Sequence, residues 1–176
     1  MYKTTELLKR SKSNFITLKR AKQYLRIDHS YDDEMITDMI DIALVVAENY
    51  LGLKLREASW KLSVYDNLPS LIKLSQGPII KIESFTLHKP SGEEVELTEQ
   101  HYIFNKSAEQ INMRVQISMS KAEIIYYTGF SELELPSPIR QGMLEHITRM
   151  YDVRGGDQGL PVSVKSLYQP YKKMRL

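Results

Sequence analysis

A chain of 176 residues with 42% hydrophobic content suits one domain, or one domain with an insertion, and carries enough apolar side chains for a real core. Its formal charge of +2 is too small to mark a nucleic-acid binder by itself. Cysteine is absent, which excludes disulfides and thiolate metal sites.

Residues 1–14, MYKTTELLKRSKSN, are polar and basic. They have no apolar signal core and read as a mobile arm. No later stretch is apolar for long enough to span a membrane as a helix. The expectation is a soluble protein that stays in the cytoplasm where it is made.

Residues 17–27 and 31–51 read as two helices joined by a polar turn. Thr17 can cap the first, and Leu18, Ala21, Tyr24 and Leu25 recur at helical steps. Ser30 or Asp32 can cap the second, with Asp32, Asp33 and Glu34 at the positive end of its dipole. Ile36, Met39, Ile40, Ala43, Leu44, Ala47 and Leu51 form its stripe, and Gly52 stands where a left-handed stop is expected. Ile42, Val45 and Val46 make this helix apolar nearly all round. Either the rest of the chain covers both sides, or a neighbouring subunit covers one.

From residue 60 the period changes to alternation, and residues 60–128 read as an inserted antiparallel β-sheet. WKLSVY at 60–65 is its first strand, and 71–74 a short second one. The long strand 79–88 changes phase between Ile82 and Phe85, which implies a bulge near Glu83. Pro90-Ser91-Gly92 turns it back through 95–97. Further short strands fall at 101–104, 111–117 and 123–127. Pro138 then opens a helix over 138–152 with Ile139, Met143, Ile147, Met150 and Tyr151 on one stripe. Gly155-Gly156 stops it, and 155–176 reads as a flexible tail without fixed structure.

The fold class is therefore α+β: an N-terminal helix pair packed with a C-terminal helix, one domain over 15–154, the sheet inserted between. The expected core includes Leu25, Ile36, Ile40, Leu44, Leu51, Trp60, Ile82, Ile139, Met143 and Ile147.

Chemistry is sparse. His29, His88, His101 and His146 form no metal-ligand spacing, and His146 reads as a boundary residue. Asp28, His29 and Asp32 superficially suggest a metal-dependent hydrolase, but capping and dipole pairing already account for the acids, and the calcium-loop spacing is missing. No catalytic residue, metal or cofactor is expected. The basic first helix and the turn after it have a helix-turn-helix outline. However, the second helix carries six acids, which phosphate would repel.

Several stretches together resemble one family: ITLKRAKQYLRIDHSYDDEMI, AENYLG, GPIIKIESFTLHKPSGEEVEL, YYTGF, and LPSPIRQGMLEHITRMYDVRGG followed by LYQPYKKMRL. In that order they are similar to the head–tail connector, or adaptor, proteins of long-tailed bacteriophages and related gene-transfer agents, over nearly the whole chain. The resemblance implies a structural virion protein without catalysis. Such proteins form a ring beneath the portal protein of the capsid, extend the DNA channel, and offer a platform to a stopper or tail-completion protein. The implied location is the virion neck, after assembly in the host cytoplasm. The ring of such proteins implies self-association, with twelve-fold symmetry one option and a monomer in isolation another. The alternative is a regulatory protein that binds nucleic acid through its basic N-terminal segment.

Two sets of residues follow as expectations. Leu167, Tyr168, Pro170, Tyr171, Lys172, Lys173, Arg175 and Leu176 would bind the portal and order only on docking. Basic Lys19, Arg20, Lys22 and Arg26 would face acidic Asp38, Asp41 and Glu48 of the next subunit, or pair with them inside one subunit.

Overall fold

The computed structural model describes residues 2–12, 14–153 and 159–173. The chain divides into two compact units, one of Met1–Ser11 and Arg56–Phe130 and one of Lys12–Leu55 and Ser131–Leu176. The class is α+β, as expected, and within the span 15–154 read as one domain the sheet and the helices each gather their own contacts.

In the first unit, β2 (Ala58–Tyr65) alternates as its sequence requires, with Ala58, Trp60, Leu62 and Val64 buried. It pairs with β8 (Lys121–Thr128), which buries Ala122, Ile124, Tyr126 and Thr128. The other side of β8 holds β4 (Ile79–His88), which turns through Lys89 and Gly92 into the short edge strand β5 (Glu94–Glu96). The register slips between Ile82 and Ser84, the bulge that the change of apolar phase implied. A second, three-stranded sheet has β3 (Leu71–Lys73), β7 (Gln110–Met113) and β6 (Tyr102–Asn105) in that order. Ile72 and Ile111 pair across it and are fully buried. Two antiparallel sheets thus stand where one was expected, and they share one hydrophobic core.

Two polar groups in that core find partners. Trp60 Nε1 donates to Thr128 Oγ1 at 3.0 Å, and the Tyr126 hydroxyl donates to the Ser75 carbonyl at 3.2 Å. Unpaired, either would carry its full desolvation penalty.

The expected basic arm is also corrected. Residues Tyr2–Arg10 form β1, the edge strand beside β2 in the five-stranded sheet β1-β2-β8-β4-β5. Lys3, Thr5 and Leu7 stand opposite Val64, Leu62 and Trp60. Most β1 side chains are exposed, so the strand has no apolar period to betray it. What orders it is the row of backbone groups that β2 would otherwise leave open.

In the second unit, α1 (Leu18–Leu25) begins as its sequence dictates, with the Arg20 N–H donating to Thr17 Oγ1 at 3.2 Å. It ends at Arg26 in the left-handed region, φ 59°. α2 (Asp33–Leu51) buries Ile36, Ile40, Ala43, Leu44, Ala47 and Leu51, and Gly52 closes it at φ 68°. α3 (Ser137–Asp152) packs on both, burying Ile139, Met143, Ile147 and Met150. Leu25 is only half-buried, and so is Ile82 in the sheet unit, so neither is the core residue expected. His146 is the reverse case: expected at a boundary, it is buried on the inner face of α3.

The tail differs most from its reading. Residues Val162–Tyr168 form a helix, α4, which packs on α3 and touches α2. Val164 and Tyr168 are fully buried, and a 3₁₀ turn over Gln169–Tyr171 follows. Leu167, Tyr168, Gln169 and Pro170 looked like irregular chain because the helix is short and its burial depends on α3.

Candidate functional site

Among the described residues no three His, Asp or Glu side chains gather as a metal site would need. No helix among them is long and apolar enough to cross a membrane. Asp32, one of the acids considered for metal, sits at the α2 cap position, where its side chain makes no cap hydrogen bond. Its Oδ2 instead accepts the Tyr151 hydroxyl at 2.6 Å, tying the start of α2 to the end of α3. The features that remain for function are surfaces.

The basic candidates on α1 separate into two kinds. Lys19, Arg20 and Arg26 are exposed. Lys22 is paired within its own unit, to Asp33 at the start of α2. The acidic candidates on α2 separate likewise. Asp38 and Asp41 are exposed, and Asp41 Oδ1 accepts from Asn14 Nδ2 at 3.3 Å. Glu48 is largely covered: Oε1 accepts the Leu55 N–H at 2.9 Å, and Oε2 lies 3.7 Å from Lys54 Nζ. Glu48 therefore braces the exit from α2, and Lys22 and Glu48 both have partners inside their own unit, as the intrasubunit alternative allowed. A periodicity argument could not detect either pairing, since the partners lie on other elements or beyond a helix end.

The greasy character of α2 has a definite outcome. Ile42 is 47% exposed and Val45 52% exposed, so the described residues leave that side of the helix open. Asp38, Ile42 and Val45 follow one another at helical steps on the same exposed ridge.

The proposed portal segment is docked on its own unit. Tyr168 is fully buried, and burial pushes its hydroxyl well above the ordinary phenol range, with the Glu145 carboxylate adding to the effect. It is therefore corrected from partner anchor to core residue. Lys172 Nζ sits 4.6 Å from the centre of the Tyr50 ring, and the Lys173 N–H donates to the Leu51 carbonyl at 2.8 Å. The Tyr50 hydroxyl approaches Gln169 Oε1 at 3.4 Å. Of the segment 167–176 that was expected to order only on docking, residues 167–173 pack within their own unit. Pro170, Lys172 and Lys173 are exposed, while Leu167 and Tyr171 are half-buried. Arg175 and Leu176 lie outside the described residues.

Sequence reasoning missed one exposed feature, Leu133, in the turn before α3. The SELEL string contained a signal, because Leu133 and Leu135 alternate and only Leu135 has room inside.

Comparison with known proteins agrees with this picture of a chain built for contact. No curated protein matches it by sequence. Among solved structures, its fold is similar to a chain in the neck of an empty gene-transfer-agent particle computed with six-fold symmetry. The TM-score there is 0.75 at 15% identity, over 98% of this chain and 97% of that one. A chain in the virion of a native gene-transfer-agent particle gives 0.73 at 15%, over 98% and 96%. One in the neck of a native particle computed with twelve-fold symmetry gives 0.64 at 16%, over 96% and 97%. The family model described as phage gp6-like head-tail connector protein matches residues 15–125, well over half of the chain. This protein belongs to the phage gp6-like head–tail connector family.

Proposed function

We propose that the chain is a ring-forming structural adaptor of a virion neck, lying between the capsid portal and a stopper or tail-completion protein. In that place it lengthens the channel through which DNA passes and performs no catalysis. The observation that carries this reading is the family match over residues 15–125. The fold's likeness to neck components of gene-transfer-agent particles supports it. An apolar α2 ridge left open by the described residues is what a subunit of a larger assembly needs.

Within this reading Lys19, Arg20 and Arg26 lie on one side of each subunit junction and Asp38 and Asp41 on the other. Two different patches per subunit give a head-to-tail contact, which closes into a ring when the rotation allows. Pro170, Tyr171, Lys172 and Lys173 form the strip offered to the portal. Their positive charge would speed encounter with an acidic surface.

The test is co-expression with a candidate portal protein, followed by affinity capture and electron microscopy. The expected result is a ring of this chain bound to the portal, lost at high salt. A chain that stays monomeric and never attaches to the portal would overturn the reading. Tight, sequence-dependent binding to duplex DNA would favour a regulatory protein instead.

A further inference from the structure

Leu133 is the most exposed large apolar side chain among the described residues, at 97%. A single exposed leucine is ordinary. This one is different because its turn is braced on both sides. The Ser131 N–H and hydroxyl both donate to Glu134 Oε2, at 3.3 and 2.7 Å. The Glu134 and Leu135 N–H groups donate back to the Ser131 carbonyl, at 3.1 and 3.2 Å. Arg140 Nη2, from the first turns of α3, donates to the Glu132 carbonyl at 2.6 Å. Leu135 is buried just beyond. The turn is held at its ends while its middle residue stands in solvent. A knob already fixed in place loses little further freedom when it meets a surface.

Its surroundings narrow the kind of surface. Leu133 shares a shallow depression with Arg20, Arg140 and Glu132, so an apolar knob stands among two guanidinium groups and one carboxylate, a net positive setting. On α2 of the same unit, Ile42 and Val45 make an exposed apolar strip one helical turn beyond the exposed carboxylate of Asp38. Grease beside positive charge fits grease beside negative charge. The two patches differ, so copies joined through them meet head-to-tail rather than across a two-fold axis.

We propose that Leu133 of one copy seats on Ile42 and Val45 of the next, with Arg20 and Arg140 facing Asp38. The occupant of the open α2 strip is then a second copy of this chain. This contact rests on the ring reading and names the residues that make it.

The chain contains no cysteine, so single introduced thiols report cleanly. Leu133→Cys and Val45→Cys are made as separate full-length variants, mixed, assembled with the portal and oxidised mildly. The expected result is a disulfide-linked dimer band in the mixture, at least tenfold stronger than in either variant alone. Leu133→Asp in an otherwise unchanged chain should reduce ring yield at least tenfold, with thermal unfolding unchanged because the side chain is already in solvent. Rings that form normally with Leu133→Asp, or without the mixed cross-link, overturn this contact and leave the ring reading standing. A Leu133→Cys variant that cross-links to itself as strongly as in the mixture also overturns it, in favour of a two-fold contact. A wild-type chain that forms no ring with the portal overturns both.

Discussion

Gly142 on α3 lies directly against the ring of Tyr168 on α4: a methyl group on Gly142 would stand 2.4 Å from Tyr168 Cε1. Two helices that meet in this way depend on the absence of one side chain. Gly142→Ala sets two effects against each other. Alanine favours a helix interior over glycine by about 1 kcal/mol. Overpacking a closed site costs about 1–3 kcal/mol. Tyr168 is fully buried, so its ring cannot swing out into solvent and the clash should win. The expected outcome is a net loss of roughly 1 kcal/mol, by the difference of those two ranges. Hydrogen exchange should rise in α4 first. Denaturant unfolding with exchange mass spectrometry checks both, and a stabilised variant with α4 still protected would contradict the argument.

Tyr168 itself allows a test with two opposite signs. Its hydroxyl is buried without a hydrogen-bond partner among the described residues. Burying such a group unpaired costs about 1–3 kcal/mol. Tyr168→Phe should therefore keep or raise stability, by up to about 1 kcal/mol once packing changes are allowed for. Truncation after Ser166 removes the whole ring and should lower stability by about 3–5 kcal/mol, the range for emptying an aromatic core position. Thermal melts of the two variants should move in opposite directions. A truncated chain that melts like the full one would mean that α4 contributes nothing to the helical unit.

Glu123 on β8 contributes to the acid limb of stability in the sheet unit. Its carboxylate is hydrogen-bonded by Lys121 at 2.7 Å, with His88 at 3.4 Å and Lys61 at 4.0 Å also in range. These partners, Lys121 foremost, hold its pKa below the usual carboxylate value of 4.5. A folded pKa below the unfolded one stabilises the native state above pH 4.5, and that contribution disappears as pH falls through the folded pKa. Glu123→Gln should flatten the loss of stability below about pH 4.5, measured by urea unfolding from pH 7 to pH 3. The group is partly solvated, so the effect is modest and shrinks in salt. An acid limb of unchanged slope would assign it to other carboxylates.

The sequence alone determined whatever depends on neighbours along the chain. The α2 stripe, the Thr17 cap, the Gly52 stop and the alternation of β2 need only local spacing, and all are present. The slip at Ile82 to Ser84 was legible for the same reason, since one extra residue reverses which side faces inward. The excess of grease on α2 was legible too, though not what would cover it.

Tertiary structure decided whatever depends on a partner far along the chain. β1 exists because β2, 48 to 63 residues later in register, offers it an open edge, and its own side chains carry no period. α4 exists because Gly142 leaves room for Tyr168. Asp32 leaves its cap for Tyr151, 119 residues away, and Glu48 turns to Leu55 instead of a neighbouring subunit. Leu133 and Leu135 are the same residue two positions apart, and packing alone made one a buried side chain and the other an exposed one. Periodicity records which residues share a face. Only the folded chain settles which of those faces still meets water.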